Sequence, residues 1–213
     1  GTATVGTSAG SDWRLSGVVE SWEGVRFTLT GPVTGAFGLE LPVPGLHNAR
    51  NAASAAAVAV LAGAAPEAVA SALARFGGVA RRFEHRGQAA GVVLVDDYAH
   101  LPTEVGAVLA TARSGGFARV VAVFQPHRFS RTEALWSSFG GAFDDADVLY
   151  VTDVYPSGEA PRPGVSGRLV ADAVLRDRPG ADVRYVARRE DLLDALVGEL
   201  RDGDLCLTMG AGD

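Results

Sequence analysis

The hydrophobic and polar positions of this chain fall into two textures. Up to about residue 44, short alternating runs such as Val18 to Trp22 and Val25 to Thr30, split by Glu23-Gly24, predict a small antiparallel β unit. The alanine-rich run from Asn48 to Leu61 has a helical pattern, and Pro66 suits the first turn of a second helix reaching about Arg75. Gly77-Gly78 then interrupts the chain. Beyond residue 80, apolar runs predict strands at Gly91 to Val95, Arg119 to Phe124, Asp147 to Val154, Asp182 to Val186 and Asp204 to Met209. Helical patterns lie between them, near 102 to 113, 131 to 143, 166 to 176 and 189 to 200. Strand and helix in alternation predict an α/β fold with a doubly wound, mostly parallel sheet. The boundary falls near Gly78 to Arg81, giving domains 1–79 and 80–213.

Composition narrows the classes. With 47% apolar and 21% charged residues, the 213-residue chain should bury a substantial core. A net charge of −6 argues against a nucleic-acid or membrane-surface partner, because both favour a basic face. The longest apolar stretch, Ala52 to Ala65, is too short to span a bilayer, and no signal peptide is evident. One cysteine, Cys206, in an apolar run, fits a reducing compartment, so a cytoplasmic location is expected. All 19 basic residues counted as lysine or arginine are arginine. Without lysine the chain cannot supply a P-loop, whose amine reaches the β and γ phosphates. The lack of an early methionine suggests that Gly1 is not a native start, although processing after Met-Gly would also explain it.

Chemistry-bearing residues gather where strands end. Asp96-Asp97-Tyr98-Ala99-His100-Leu101-Pro102-Thr103-Glu104 follows the Gly91 to Val95 strand, and open α/β sheets bind ligands beyond the carboxyl ends of strands. Asp97 could hold a ribose or a water on a metal, while Tyr98 and His100 could face a polar substrate, a neutral imidazole being able to orient or deprotonate an amine. Asp96 and Asp97 alternate sides in extended chain and are not one acid/base pair. Thr103 is a plausible helix cap. The next strand ends in Gln125-Pro126-His127-Arg128-Phe129-Ser130-Arg131, where Arg128 and Arg131 could clamp a carboxylate. A third rim segment is Asp153-Val154-Tyr155-Pro156-Ser157-Gly158-Glu159, and the fifth strand ends in Met209-Gly210-Ala211-Gly212, whose glycines suit close packing as well as phosphate approach. His47, Asn48 and Asn51 open the alanine-rich helix. Asn48 and Asn51 share one face and could read adenine, although a capping Asn48 explains the pattern too. Arg81 and Arg82 follow the hinge and could meet a phosphate. Four histidines with no zinc-like spacing and no G-x-S-x-G elbow leave no protein metal site and no covalent nucleophile in view.

In this order and spacing, GLHNARNAASAA, FGGVARRFEHRG, LVDDYAHLPTEV, FQPHRFSRT, DVYPSGE and TMGAG resemble the Mur ligases, with FQPHR favouring the members that join UDP-N-acetylmuramate to L-alanine. The resemblance implies ATP and Mg²⁺ as cofactors, UDP-N-acetylmuramate and L-alanine as substrates, and amide formation through an acyl phosphate. It implies that residues 1–79 are the end of a central ATP-binding domain and 80–213 a Rossmann-like domain admitting the amino acid. The UDP-binding and P-loop parts would then lie outside this chain, which alone would be inactive. By resemblance, Asn48 and Asn51 bind adenine with His47 beside the nucleotide, Arg82 reaches its phosphates, and Asp97 its ribose. Tyr98, His100, Arg128 and Arg131 line the substrate and alanine pocket, with His100, Arg128 and Arg131 acting in catalysis. One departure is Leu101, where the family commonly has a second histidine. A non-catalytic nucleotide- or partner-binding module of the same fold, and a sibling ligase adding another amino acid, are the alternatives.

Overall fold

The computed structural model describes residues 2–212 and divides the chain into two compact units, Gly1–Val79 and Ala80–Asp213. In the first, strands β1 (Val5–Gly6), β2 (Trp13–Ser21), β3 (Gly24–Gly31) and β4 (Gly35–Leu41) lie side by side in that order. The β2–β3 and β3–β4 pairs are antiparallel, but β1 runs parallel to β2, so the expected antiparallel unit is a mixed sheet. A strand of two residues is too short for alternation to reveal; it is held by Trp13 N–H on the Thr4 carbonyl and by the Asp12 carboxylate on the Thr4 N–H and hydroxyl. Helix α1 (Leu46–Leu61) begins two residues before the expected Asn48. Its small face, Ala49, Ala52, Ala53, Ala56, Ala57 and Val60, packs into a core with Trp13, Leu15, Phe27 and Leu29. Alanine gives this helix high intrinsic propensity and lets it approach the sheet closely. Helix α2 (Pro66–Ala74) starts on its proline, which tolerates the first turn because no N–H is needed there.

The second unit is a six-stranded sheet in the order β5-β6-β10-β7-β8-β9, where β5 is Glu84–Ala89, β6 Val92–Asp97, β7 Arg119–Phe124, β8 Val148–Val151, β9 Asp182–Tyr185 and β10 Asp204–Met209. All neighbours are parallel except β5, which pairs antiparallel with β6. The doubly wound parallel sheet is therefore as the alternation implied. β5 escaped the pattern because EHRGQA is polar and lies at a sheet edge, where no apolar alternation is demanded.

Helices α3 (Pro102–Arg113), α4 (Phe129–Leu135), α5 (Arg168–Asp177) and α6 (Arg189–Glu199) connect the parallel strands. Leu192 and Leu196 of α6 pack with Val92, Val121, Val123, Val148, Tyr150 and Cys206, one set of alternating strand positions. On the opposite alternation, Phe124 meets Phe139 and Phe143. The helix expected over 131 to 143 is in fact α4 followed by a 3₁₀ turn, Trp136–Phe139, ending at Gly140-Gly141. At Gly140 a Cβ would stand 1.8 Å from the Asp177 carboxylate, so a larger residue at this corner would push that side chain aside. β8 is shorter than expected, and beyond it Tyr155 makes an isolated bridge to His127.

Candidate functional site

β10 inserts between β6 and β7, so the chain crosses it in one direction on leaving β6 and returns to it last. The carboxyl ends of β6, β10 and β7 therefore lie side by side, and the loops beyond them frame a candidate crevice at the edge where open α/β sheets bind ligands. Two glycines let β10 end there. A Cβ on Gly210 would lie 3.0 Å from the Gln125 carbonyl, and one on Gly212 would lie 2.7 Å from the Tyr155 ring. Close packing thus accounts for this glycine turn.

At the end of β6 the two aspartates separate as extended chain requires. Asp96 pairs with Arg81 at 3.1 Å and accepts from the Thr208 hydroxyl. Asp97 is 2% exposed, accepting the Phe83 N–H at 2.7 Å and the Ala99 N–H at 2.6 Å. Burial raises its carboxyl above the ordinary aspartate value; the two N–H groups and Arg82 offset this only in part. Asp97 therefore fastens the 81–83 segment, in which Arg81 and Phe83 both have positive φ, 58° and 49°. The Tyr98 N–H returns to the Arg81 carbonyl at 2.7 Å. That fastening sets the guanidiniums of Arg81 and Arg82 each 5.3 Å from the Tyr98 ring centre, within cation–π range. Arg82 itself is exposed, a geometry open to an anion.

His100 and His127 face one another across the end of β10, with ring centres 5.8 Å apart. His100 Nδ1 lies 3.0 Å from the Tyr98 carbonyl, which only accepts, so Nδ1 carries the proton and Nε2 of the neutral ring offers a lone pair. His127 has the opposite tautomer. Its Nδ1 is 2.9 Å from an Arg131 Nη, which only donates, so the proton of the neutral ring sits on Nε2. Burial, then the charges of Arg131 and Arg128, hold the His127 imidazole below its ordinary value, which favours the neutral ring. The His127 ring stacks on Tyr155 at 5.6 Å and 9°. The crevice so presents an acceptor on one imidazole, a donor on the other, and Arg128 and Arg131 beside them.

The helix starts carry further detail. Arg128 flanks α4 with φ of 69°, its side chain exposed and, among the described residues, without a hydrogen-bond acceptor. At α3, Thr103 is not the cap. Pro102 is the first helical residue, Leu101 precedes it, and the Glu104 carboxylate accepts the N–H groups of His100 and Leu101. The imidazole expected by resemblance at 101 is replaced by a side chain with no polar group.

His47, Asn48 and Asn51 lie on α1 in the other unit. Gly45, not Asn48, flanks that helix, and the Asn48 amide donates to the Pro44 carbonyl at 2.7 Å, while Asn51 is exposed. One of Asn48's two amide hydrogens and its carbonyl remain for a ligand. Among the described residues, no three His, Cys, Asp or Glu side chains converge as a metal site would need. Nor is any described helix long and apolar enough to cross a membrane. Cys206 is buried with its thiol pushed up to about 11, so it is not an activated nucleophile, and the Ser130 hydroxyl donates to the Glu159 carboxylate at 2.5 Å. Sequence reasoning placed His127 and Tyr155 on the rim without giving them a role. Their stacking depends on a bridge between two loops, for which local pattern holds no signal.

A sequence profile described as Mur ligase, glutamate ligase domain matches residues 81–212. The chain belongs to the Mur ligase family. It is 51% identical over 175 residues to a UDP-N-acetylmuramate–L-alanine ligase of Nitratidesulfovibrio vulgaris (strain DP4), covering 82% of this chain and 38% of that protein. It is 49% identical over 211 residues to one from Kineococcus radiotolerans, covering 99% of this chain and 44% of that protein. The chain thus spans less than half the length of these curated relatives. Among solved structures, UDP-N-acetylmuramate-alanine ligase from Thermotoga maritima matches with a TM-score of 0.82 at 28% identity, over 100% of this chain and 45% of that one. A murein peptide ligase from Psychrobacter arcticus matches with a TM-score of 0.68 at 21% identity, over 98% and 43%, a likeness of fold.

Proposed function

We propose that this chain is the amino-acid-admitting part of a Mur ligase that joins L-alanine to UDP-N-acetylmuramate, with ATP and Mg²⁺ as cofactors. The observation that carries this reading is the crevice formed by His100, His127 and Arg131 at the carboxyl edge of the sheet, in a chain whose relatives bear that ligase's name. An α-amino acid needs a cationic partner for its carboxylate and an acceptor for its ammonium. Arg131, and Arg128 beside it, meet the first need through charge-assisted bonds, and the His100 Nε2 lone pair meets the second.

Bound ATP supplies the phosphoryl group that turns the muramate carboxyl into an acyl phosphate. The residues here hold the amine against that carbonyl. His100 takes one proton from the ammonium, the freed amine bonds to the carbonyl carbon, and inorganic phosphate departs with the C–O electron pair and takes up the second N–H proton. Placement and charge neutralisation do this work. In this reading Asn48 and Asn51 read adenine, His47 lies beside the nucleotide, Arg82 meets its phosphates and Tyr98 lines the pocket. Asp97 serves the ribose with lone pairs not taken by Phe83 and Ala99. Among the described residues no three His, Cys, Asp or Glu side chains converge, so Mg²⁺ would enter with the nucleotide, held largely by its phosphates and by water. Residues 1–79 would complete a central ATP-binding domain whose P-loop lysine this chain cannot supply.

The test is product formation from ATP, Mg²⁺, UDP-N-acetylmuramate and L-alanine. The full-length protein carrying this chain should form the amide and release phosphate, and the 213-residue chain alone should form none. Turnover by the chain alone would contradict the reading, and a full-length protein that prefers another amino acid in competition would identify a sibling ligase.

A further inference from the structure

The loop after β8 reaches across to the start of α4 and grips it on both sides of Arg128. On one side, Tyr155 N–H donates to the Pro126 carbonyl and Arg128 N–H donates to the Tyr155 carbonyl, both at 2.8 Å. On the other, the Glu159 carboxylate accepts the Ser130 N–H at 2.8 Å and the Ser130 hydroxyl at 2.5 Å. Between the two grips Arg128 is held at φ 69°, a left-handed backbone that a long L side chain adopts only under outside constraint. Inside α4, Thr132 closes the turn by donating its N–H at 3.0 Å and hydroxyl at 2.8 Å to the Arg128 carbonyl. Ser130 is thus the only residue between the strained Arg128 and Arg131, one position beyond Phe129, that a side chain from the loop grasps among the described residues.

We propose that Glu159 is a positioning residue for the amino-acid pocket: by holding Ser130 it fixes the backbone from which Arg128 and Arg131 project. This rests on the carboxylate role given to those arginines above. Glu159 need not touch the substrate. It is half-buried, and with its loop partner Tyr155 stacked on His127, the same loop sets the far wall of the crevice. A displacement of the guanidiniums of about 1 Å would cost roughly a hundredfold in productive binding.

Three variants of the full-length protein separate this role from a merely structural one. Glu159→Ala removes both bonds to Ser130. Glu159→Gln keeps both, since its oxygen can accept the N–H and its amide can donate to the hydroxyl. Arg131→Ala serves as the reference for the pocket itself. In steady-state kinetics, Glu159→Ala should raise the KM for L-alanine about tenfold or more while the KM for ATP stays within about twofold. Glu159→Gln should restore the L-alanine KM to within about threefold of wild type. If Glu159→Ala leaves the L-alanine KM unchanged, or moves both constants alike, while Arg131→Ala still raises the L-alanine KM selectively, the positioning role is wrong and the pocket stands. If Glu159→Gln is as impaired as Glu159→Ala, the charge and not the grip on Ser130 is at work, and the proposal also fails. If Arg131→Ala has no selective effect, the pocket assignment itself is wrong, and Glu159 falls with it.

Discussion

At the scale of single residues, the site is built where local preference is overridden. Arg128 stands at φ 69°, where an L side chain costs about 1–2 kcal/mol that glycine does not pay. This predicts an inverted order in chemical denaturation: Arg128→Gly should be more stable than Arg128→Ala by about 1 kcal/mol, whereas at an ordinary position glycine is the weaker. Alanine equal to or better than glycine would show that the backbone at 128 is not strained. None of this could be read from the sequence, because a positive φ at arginine is imposed by the Tyr155 and Glu159 grips from 27 or more residues away in the chain. The residue types were legible all the same: an imidazole and two arginines just past an apolar strand mark a polar rim. Which imidazole nitrogen accepts and which donates became fixed only once the Tyr98 carbonyl and Arg131 had known positions.

At the scale of elements, the carboxyl edge of the sheet gathers imidazoles and guanidiniums, while the opposite edge carries an ion-pair network. There Arg119 at the start of β7 bridges Asp204 of β10 at 2.6 Å and Glu199 of α6 at 2.6 Å, and Glu199 also binds Arg184 of β9 at 2.7 Å. Burial pushes the Asp204 carboxyl up, but bonds from Arg119 and the Arg201 N–H outweigh it and leave it below its ordinary value of 3.8. Bonds from Arg184 and Arg119 likewise hold Glu199 below 4.5. A lowered carboxylate lends stability that is present above its ordinary value and is lost as pH falls through the lowered native one. Asp204→Ala should therefore cost about 2–3 kcal/mol at pH 7, lowering the melting temperature by roughly 5–10 °C. The acid limb of the stability profile should flatten as well; an unchanged profile would mean that the network is incidental. The strands of this network were legible as apolar runs with charged ends. β5 was not, for its polar sequence owes its extended form to pairing with β6, and the break after α4 owes its place to the Gly140 corner against Asp177.

At the scale of the whole molecule, alternation of strand and helix sufficed to imply a doubly wound parallel sheet. It could not give the insertion of β10 between β6 and β7, since strand order depends on contacts far apart in sequence. That insertion sets β6 and β7 two strand spacings apart, so that His100 and His127 meet over the end of β10 with ring centres 5.8 Å apart. The central claim is that this crevice receives the amino acid through Arg131, whose guanidinium is aligned by His127. Its most direct test is the pair of Michaelis constants, for L-alanine and for ATP, in the full-length protein with Arg131→Ala. The account predicts that the KM for L-alanine rises by about two orders of magnitude while that for ATP changes by less than about threefold. Equal changes in the two constants, or none in the L-alanine constant, would contradict it.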